Sequence, residues 1–200
     1  MILSDDQTFR TALLIIMIVV FPIGLYHRFQ SQATRELLDR RQEGLFILIA
    51  VRLSGLVLWL GVAAFLIDPA SMAWASFPLP LWLRWTGVGI CVLGAALMLW
   101  TMRRLGKNLT DTVVTRREHT LVTRGPYRWV RHPFYDSAAM WVTGIGMLAA
   151  NWFILATGVF AIGVLVVRTR IEEEKLLARF GDPYRAYVAR TGRFLPKFGA

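Results

Sequence analysis

Cysteine is almost absent: Cys91 is the only one in 200 residues, and it lies inside an apolar stretch. That excludes an intramolecular disulfide and a thiolate metal cluster. No His-Glu-x-x-His and no Cys-x-x-Cys occurs, so a metal site has no support. No Gly-rich phosphate loop with a following Lys-Ser/Thr is present; Gly144-Ile-Gly146 is too little and sits in an apolar stretch. A serine on a nucleophile elbow is missing, and so are paired carboxylates within the apolar stretches, the usual mark of a proton or ion path. Acidic residues are scarce, 13 against 23 Lys and Arg, for a formal net charge of +10.

What the chain has instead is apolar sequence in long blocks. It is 56% hydrophobic, with eight Trp and twelve Phe. A soluble domain of this length, with room for one core, cannot hide such blocks, so the composition is that of a membrane protein. The blocks are residues 9–26, 45–67, 81–100, 135–150 and 152–167. Asp5 and Asp6 precede the first one in place of a basic region, and no small-residue cleavage site follows, so it is expected to be a retained helix. Pro22 either kinks that helix or marks its exit. Arg52 lies about two turns inside the second block, where it either snorkels to the interface or faces a cavity near the site. Gly87, Cys91 and Ala95 form a small-residue stripe on which another helix can pack closely. The last two blocks have about sixteen residues each, or roughly 24 Å of helix. They read as a helical hairpin with Asn151 at its tip.

Twenty of the 23 Lys and Arg lie between or after the blocks: four in residues 27–44, eight in 103–133 and eight in 168–200. The alternate connections carry one, none and none. By the positive-inside rule this predicts an all-α membrane protein of five transmembrane helices, with the N-terminus outside and the C-terminus cytoplasmic. The charge thus reports topology, not nucleic-acid binding. Residues 1–102 supply three helices of a single membrane domain, and 103–200 supply a cytoplasmic segment, the hairpin and a helical tail. In that tail helix continues from Arg168 to Phe180, with Ile171, Leu176, Leu177 and Phe180 as its apolar stripe. Gly181 closes it, and Asp182 caps a further helix that has Pro183 as its first residue.

One polar stretch stands apart. Residues 119–135 hold two of the three histidines, two prolines, two tyrosines and three arginines. A plain connection needs none of that chemistry. With the tail on the same side of the membrane, the two segments can build one cup of aromatic, histidine and backbone groups. It adjoins Arg168 and Glu172, one helical turn apart.

His119-Thr-Leu-Val122, Gly125-Pro-Tyr127 and Arg131-His-Pro-Phe-Tyr135 resemble the signature of the isoprenylcysteine carboxyl methyltransferase family and its phospholipid methyltransferase relatives. Arg168, Glu172-Glu173, Phe180-Gly181, Tyr184, Tyr187, Arg193 and Pro196 extend that likeness at the family's spacing. It covers about half the chain. The resemblance implies an integral membrane enzyme that binds S-adenosylmethionine without a Rossmann domain. His119, Thr120, Leu121, Val122, Tyr127, His132, Pro133, Phe134, Tyr135 and Glu172 would then hold the cofactor, and Arg168 would face the methyl acceptor. That acceptor would be lipophilic and would come laterally from the bilayer, a prenylated carboxylate of the isoprenylcysteine type before a lipid amine or a small thiol. No nucleic acid and no metal are implied, and membrane lipids are the surroundings.

Duller roles stand beside each of these. His132 can be an interfacial histidine bonded to backbone, and Tyr127, Trp129 and Tyr135 can be aromatic-belt residues. Arg168 and Glu172 can be a surface i,i+4 pair, in the poorer of its two orientations. Arg124, Arg128 and Arg131 can merely fix topology or bind anionic lipid, a role expected of two of the three. The alternatives for the whole chain are a non-catalytic membrane protein that binds lipid or a partner through its basic face, and behind it a small transporter. One departure from the family pattern is plain: Asp136-Ser137 follows Tyr135 where the family has a small residue and then glycine. A carboxylate there bears on the acceptor more than on the cofactor, or it pairs with Arg52 or Arg131.

Overall fold

The computed structural model describes residues 2–32, 45–105 and 120–197. Six α-helices run in order: α1 Ile2–Gln32, α2 Leu45–Ile67, α3 Leu81–Leu105, α4 Pro133–Ala149, α5 Trp152–Phe180 and α6 Asp182–Arg190. Two 3-10 turns, Pro69–Ala75 and Gly125–Arg128, precede α3 and α4 respectively. Among the described residues three helices, α2, α3 and α5, are long and apolar enough to cross a membrane. Those apolar helices make the chain an integral membrane protein. Their exposed Leu, Ile, Val and Trp side chains are what a lipid-facing surface carries.

The centre of the molecule is α4, held between α3 and α5. Its contact with α3 is backbone against backbone. A Cβ on Gly144 would lie 2.6 Å from Cys91 Sγ and 2.8 Å from the Gly87 carbonyl, and one on Gly87 would lie 2.7 Å from the Gly144 carbonyl. The small-residue stripe is therefore a packing face, as its spacing predicts, and it includes Gly94 against Trp141. On the other side Gly146 of α4 meets Leu155, and Gly158 of α5 meets Val142.

The hairpin turns at Asn151, as expected. Ala150 adopts a left-handed conformation (φ 48°), and Asn151 caps α5 by accepting from Ile154 N at 3.1 Å. Its side-chain amide donates to Met72 O at 3.1 Å, which ties the tip to the first 3-10 turn. The second arm does not stop where its apolar run ends. α5 is one 29-residue helix, about 43 Å long, so it carries its register from the apolar bundle straight into the site. α4, with 17 residues or about 26 Å, stays short.

Two details differ from expectation. Pro22 does not mark an exit: α1 continues ten residues beyond it. A proline removes one hydrogen bond from a long ladder, a loss this helix absorbs. Asp182 does not cap α6. Gly181, at φ 57°, takes the N-cap position, and the Asp182 carboxylate accepts from Arg185 at 2.8 Å. Arg84, for which the sequence carries no expectation, is an arginine inside an apolar block. It is 5% exposed, donates through Nε to the Leu148 carbonyl at 2.9 Å, and pairs with Asp6 at 2.8 Å. Its guanidinium also lies 4.1 Å from the Phe9 ring centre. One side chain thus joins α1, α3 and the last turn of α4. Asp6, in the polar first turns of α1, is the counter-ion of that guanidinium. Arg52 is exposed on α2.

Candidate active site

The start of α4, the end of α5 and the segment after α6 meet at one place. Gly125, at φ 67°, begins the turn that leads there. The tail then docks by backbone. Val130 and Gly192 form a parallel bridge, in which Gly192 N donates to Trp129 O, Arg131 N to Gly192 O and His132 N to Arg193 O, at 2.9 to 3.1 Å. Tyr187 of α6 reaches under the turn and donates to Tyr127 O at 2.7 Å. The two polar segments of the sequence therefore form one structure.

His132 sits just before Pro133, the first residue of α4, and its carbonyl accepts from Tyr135 N and Asp136 N. The imidazole is buried. It stacks parallel to the Tyr135 ring at 5.5 Å and leans on Phe194 at 5.8 Å. Its two nitrogens face two neighbouring carboxylates. Nε2 is 3.0 Å from Glu173 Oε1, and Nδ1 is 4.0 Å from Glu172 Oε2.

These adjacent acids have different surroundings. Glu173 is 16% exposed and is the hub of a cationic cluster. It accepts from Arg131 Nε at 2.9 Å, from Arg193 Nε at 3.2 Å and from Arg193 Nη2. Arg131 also donates to Thr191 O at 2.6 Å, so hub and tail lock together. Glu172 is 32% exposed, and its hydrogen-bond donor is a phenol: Tyr135 donates to its Oε2 at 3.0 Å. One acid is neutralised within the fold, while the other keeps an open face.

Burial and the negative field of Glu172 raise the Tyr127 phenol well above the ordinary tyrosine range. Burial raises Tyr184 and Tyr187 likewise, so all three phenols stay neutral. Phe134 packs edge-on to Tyr135 at 6.0 Å, and Pro133 is buried. Arg168 is buried on α5, one turn before Glu172. Thr120, Leu121 and Val122 lie in irregular backbone ahead of the turn, Thr120 exposed and the other two half-buried. His119 falls outside the described residues.

Of the three arginines in the motif, two are exposed. Arg128 lies over the Trp129 ring at 3.9 Å, and Arg124 faces outward. Arg131 is the third. It does not pair with Asp136, because Glu173 and Thr191 O take its guanidinium. The hub role of Glu173 is the main feature that the sequence pattern leaves unseen. Its signal is the run of two acids, since neighbours on a helix point about 100° apart and cannot share one environment.

The comparisons agree on this half of the chain. Residues 87–179 match the model of the isoprenylcysteine carboxyl methyltransferase (ICMT) family. Curated relatives bear the name protein-S-isoprenylcysteine O-methyltransferase. The mouse protein is 34% identical over 128 residues, 62% of this chain and 44% of its own length. The Tribolium castaneum protein is 31% identical over 118 residues, covering 58% and 42%. An Arabidopsis thaliana form B is 30% identical over 118 residues, covering 58% and 60%. The matches thus span about half the length of these relatives. A solved structure of the eukaryotic intramembrane Ras methyltransferase ICMT superposes with a TM-score of 0.52 over 90% of this chain and 66% of that one, at 22% identity. That likeness is one of fold. The resemblance carried by the two motifs thus extends to the family model: residues 87–179, the stretch that holds His132, Tyr135, Arg168 and Glu172, are similar to the isoprenylcysteine carboxyl methyltransferase family.

Proposed function

We propose that the chain is an S-adenosylmethionine-dependent methyltransferase that methylates a carboxylate on a lipophilic, isoprenylcysteine-type acceptor. The observation that carries this reading is the division between Glu172 and Glu173. A sulfonium and an ammonium both seek a carboxylate. Glu173 is neutralised by two guanidiniums, whereas Glu172 is held by a neutral phenol and stays open. A unit charge about 4 Å from it gains on the order of 4 kcal/mol at the intermediate dielectric of a protein surface. Tyr127, Tyr135, Leu121 and Val122 supply the apolar and aromatic walls that an adenine takes, with Thr120 at their edge. His132, Pro133 and Phe134 set the turn from which Tyr135 projects.

The cofactor would supply an electrophilic methyl group. The residues of the chain bind, align and exclude water. A carboxylate acceptor is already ionised and needs no general base. Arg168 would hold it in line through its guanidinium fork. His132 fits that chemistry as a positioning residue, since its ring is packed by Tyr135 and Phe194 and bonded to Glu173. A lipid amine as acceptor would instead need a base with an open face. The Lys and Arg distribution supports five spans with α4 the short one, the N-terminus outside and the site facing the cytoplasm.

Equilibrium dialysis of labelled S-adenosylmethionine against purified protein tests the reading. Saturable binding is expected, with a loss of tenfold or more in Glu172→Gln and little loss in Arg168→Ala. Absence of saturable binding, or a Glu172→Gln protein that binds normally, would contradict it.

A further inference from the structure

Arg10, Arg84, Arg131, Arg185 and Arg193 each donate to an oxygen of the fold. Arg103, Arg104, Arg124 and Arg128 do not. All four are exposed, and among the described residues no hydrogen bond or ion pair engages them.

These four lie together. Trp100 of α3 meets Trp129 edge-on at 5.7 Å, which sets the end of α3 against the Gly125–Arg128 turn. Arg103 and Arg104 follow Trp100 by one helical turn, on its side of α3. The Arg104 stem crosses Gly125 so closely that a Cβ there would lie 2.6 Å from its Cγ, and Arg124 is the next residue. Arg128 lies over the Trp129 ring at 3.9 Å. The two indoles are 39% and 40% exposed, so arginines and tryptophans form one open belt. Residues 106–119, which join its two parts, carry three Lys and Arg against two acids, so they add to its positive charge.

Cations gathered on one surface create a field that draws an anion. The rest of α3 says which kind. Leu93, Ala96, Trp100 and Arg103 are spaced by three, four and three residues, so they share one helix face, and all four are exposed. That face runs from apolar through aromatic to cationic, in the order of hydrocarbon, interface and head group across a leaflet. A soluble polyanion would use only its last step.

We infer that the belt is a binding site for an anionic phospholipid. The phosphate sits between the guanidiniums of α3 and those of the turn, and an acyl chain lies along Leu93 and Ala96. The lipid thereby ties α3 to the turn that leads to His132. This does not depend on the reaction the candidate site performs.

Phosphatidylglycerol brominated on its acyl chains quenches tryptophan on contact, and brominated phosphatidylcholine is its zwitterionic counterpart. Each is titrated into the purified chain in a neutral detergent. One guanidinium near the surface strengthens attraction to anionic lipid about fivefold, so half-quenching by phosphatidylglycerol should need about tenfold less lipid, or lower still. Arg104→Gln with Arg128→Gln should bring the two lipids to within about threefold of each other. Arg185→Gln with Arg190→Gln removes the same charge from α6 and should keep the preference. Trp100→Phe with Trp129→Phe should lose the saturable part of the quenching. Equal curves for the wild-type protein overturn the inference, and that comparison needs no variant. An α6 variant that loses the preference as fully as the belt variant also overturns it, since that marks diffuse attraction to a basic face. Saturable quenching that survives in the double tryptophan variant places the lipid elsewhere and overturns it too. Displacement of the lipid by millimolar glycerol 3-phosphate has the same force, because it marks a site for a soluble phosphate.

Discussion

Replacing Glu173 by Gln keeps the shape of the hub and removes its charge. The structure sets the size of the effect. Arg131 is 10% exposed and is held in place by Glu173 and by the Thr191 carbonyl. A charge-assisted bond of this kind is worth about 2 kcal/mol, most of it lost when the acceptor becomes a neutral amide. Arg193 is 32% exposed, so solvent screens it, and its loss is about 1 kcal/mol or less. Together the change is on the order of 3 kcal/mol, which in a chain of this size lowers the unfolding midpoint by about 10 °C. The tail should suffer first, because Arg193 is its only described side-chain link to α5. Thermal unfolding in mild detergent, with limited proteolysis near Arg193, measures both effects. Glu172→Gln is the matched control: it meets one phenol and should cost about 1 kcal/mol or less, a midpoint shift of about 3 °C at most, while weakening cofactor binding. If the two variants melted alike with the tail equally resistant, the division between the acids would be wrong.

Other expectations follow from the same contacts. Gly144→Ala places a methyl 2.6 Å from Cys91 Sγ and 2.8 Å from the Gly87 carbonyl. α3 and α4 must then separate, at a cost of about 1–3 kcal/mol or more, measurable as a lowered midpoint. Arg84→Met strands Asp6 and frees the Leu148 carbonyl, a loss of about 3 kcal/mol; the double variant with Asp6→Asn should recover part of it, and additive losses would refute the pairing. Tyr127, Tyr184 and Tyr187 are raised in the folded state, so folding favours their protonated forms. That stability is complete below the ordinary tyrosine value of about 10 and is lost as pH rises through the higher folded values. An absorbance titration should find these three of the five tyrosines un-ionised until the protein unfolds in alkali.

The bundle is legible in the sequence where local chemistry and packing agree. Asn151 between two apolar runs reads as a hairpin tip because its side chain can cap the second helix, and it does. Gly87, Cys91 and Ala95 read as a contact face because small residues at one-turn spacing leave a groove, and α4 fills it. The motif and the tail come together because both are polar and lie on one side of the apolar blocks. Features that depend on distant partners are not legible. In the sequence Asp6 is only a mark against a signal peptide, and Arg84 is one residue in an apolar block; the fold makes each the other's counter-ion across two helices. Glu173 resembles a second copy of Glu172, because sequence does not say which of two adjacent acids turns toward arginines 42 and 20 residues away. Pro22 misleads for a related reason: one missing hydrogen bond breaks a marginal helix but not a 31-residue one.

The central claim is that this site moves a methyl group onto a carboxylate. Purified protein in lipid, given S-adenosylmethionine labelled on the methyl group and an isoprenylated cysteine, should form a product whose label is released as methanol by mild alkali. Arg168→Ala should abolish that product while the cofactor still binds. Label that resists alkali, or an Arg168→Ala protein that forms the ester at the normal rate, would contradict the account.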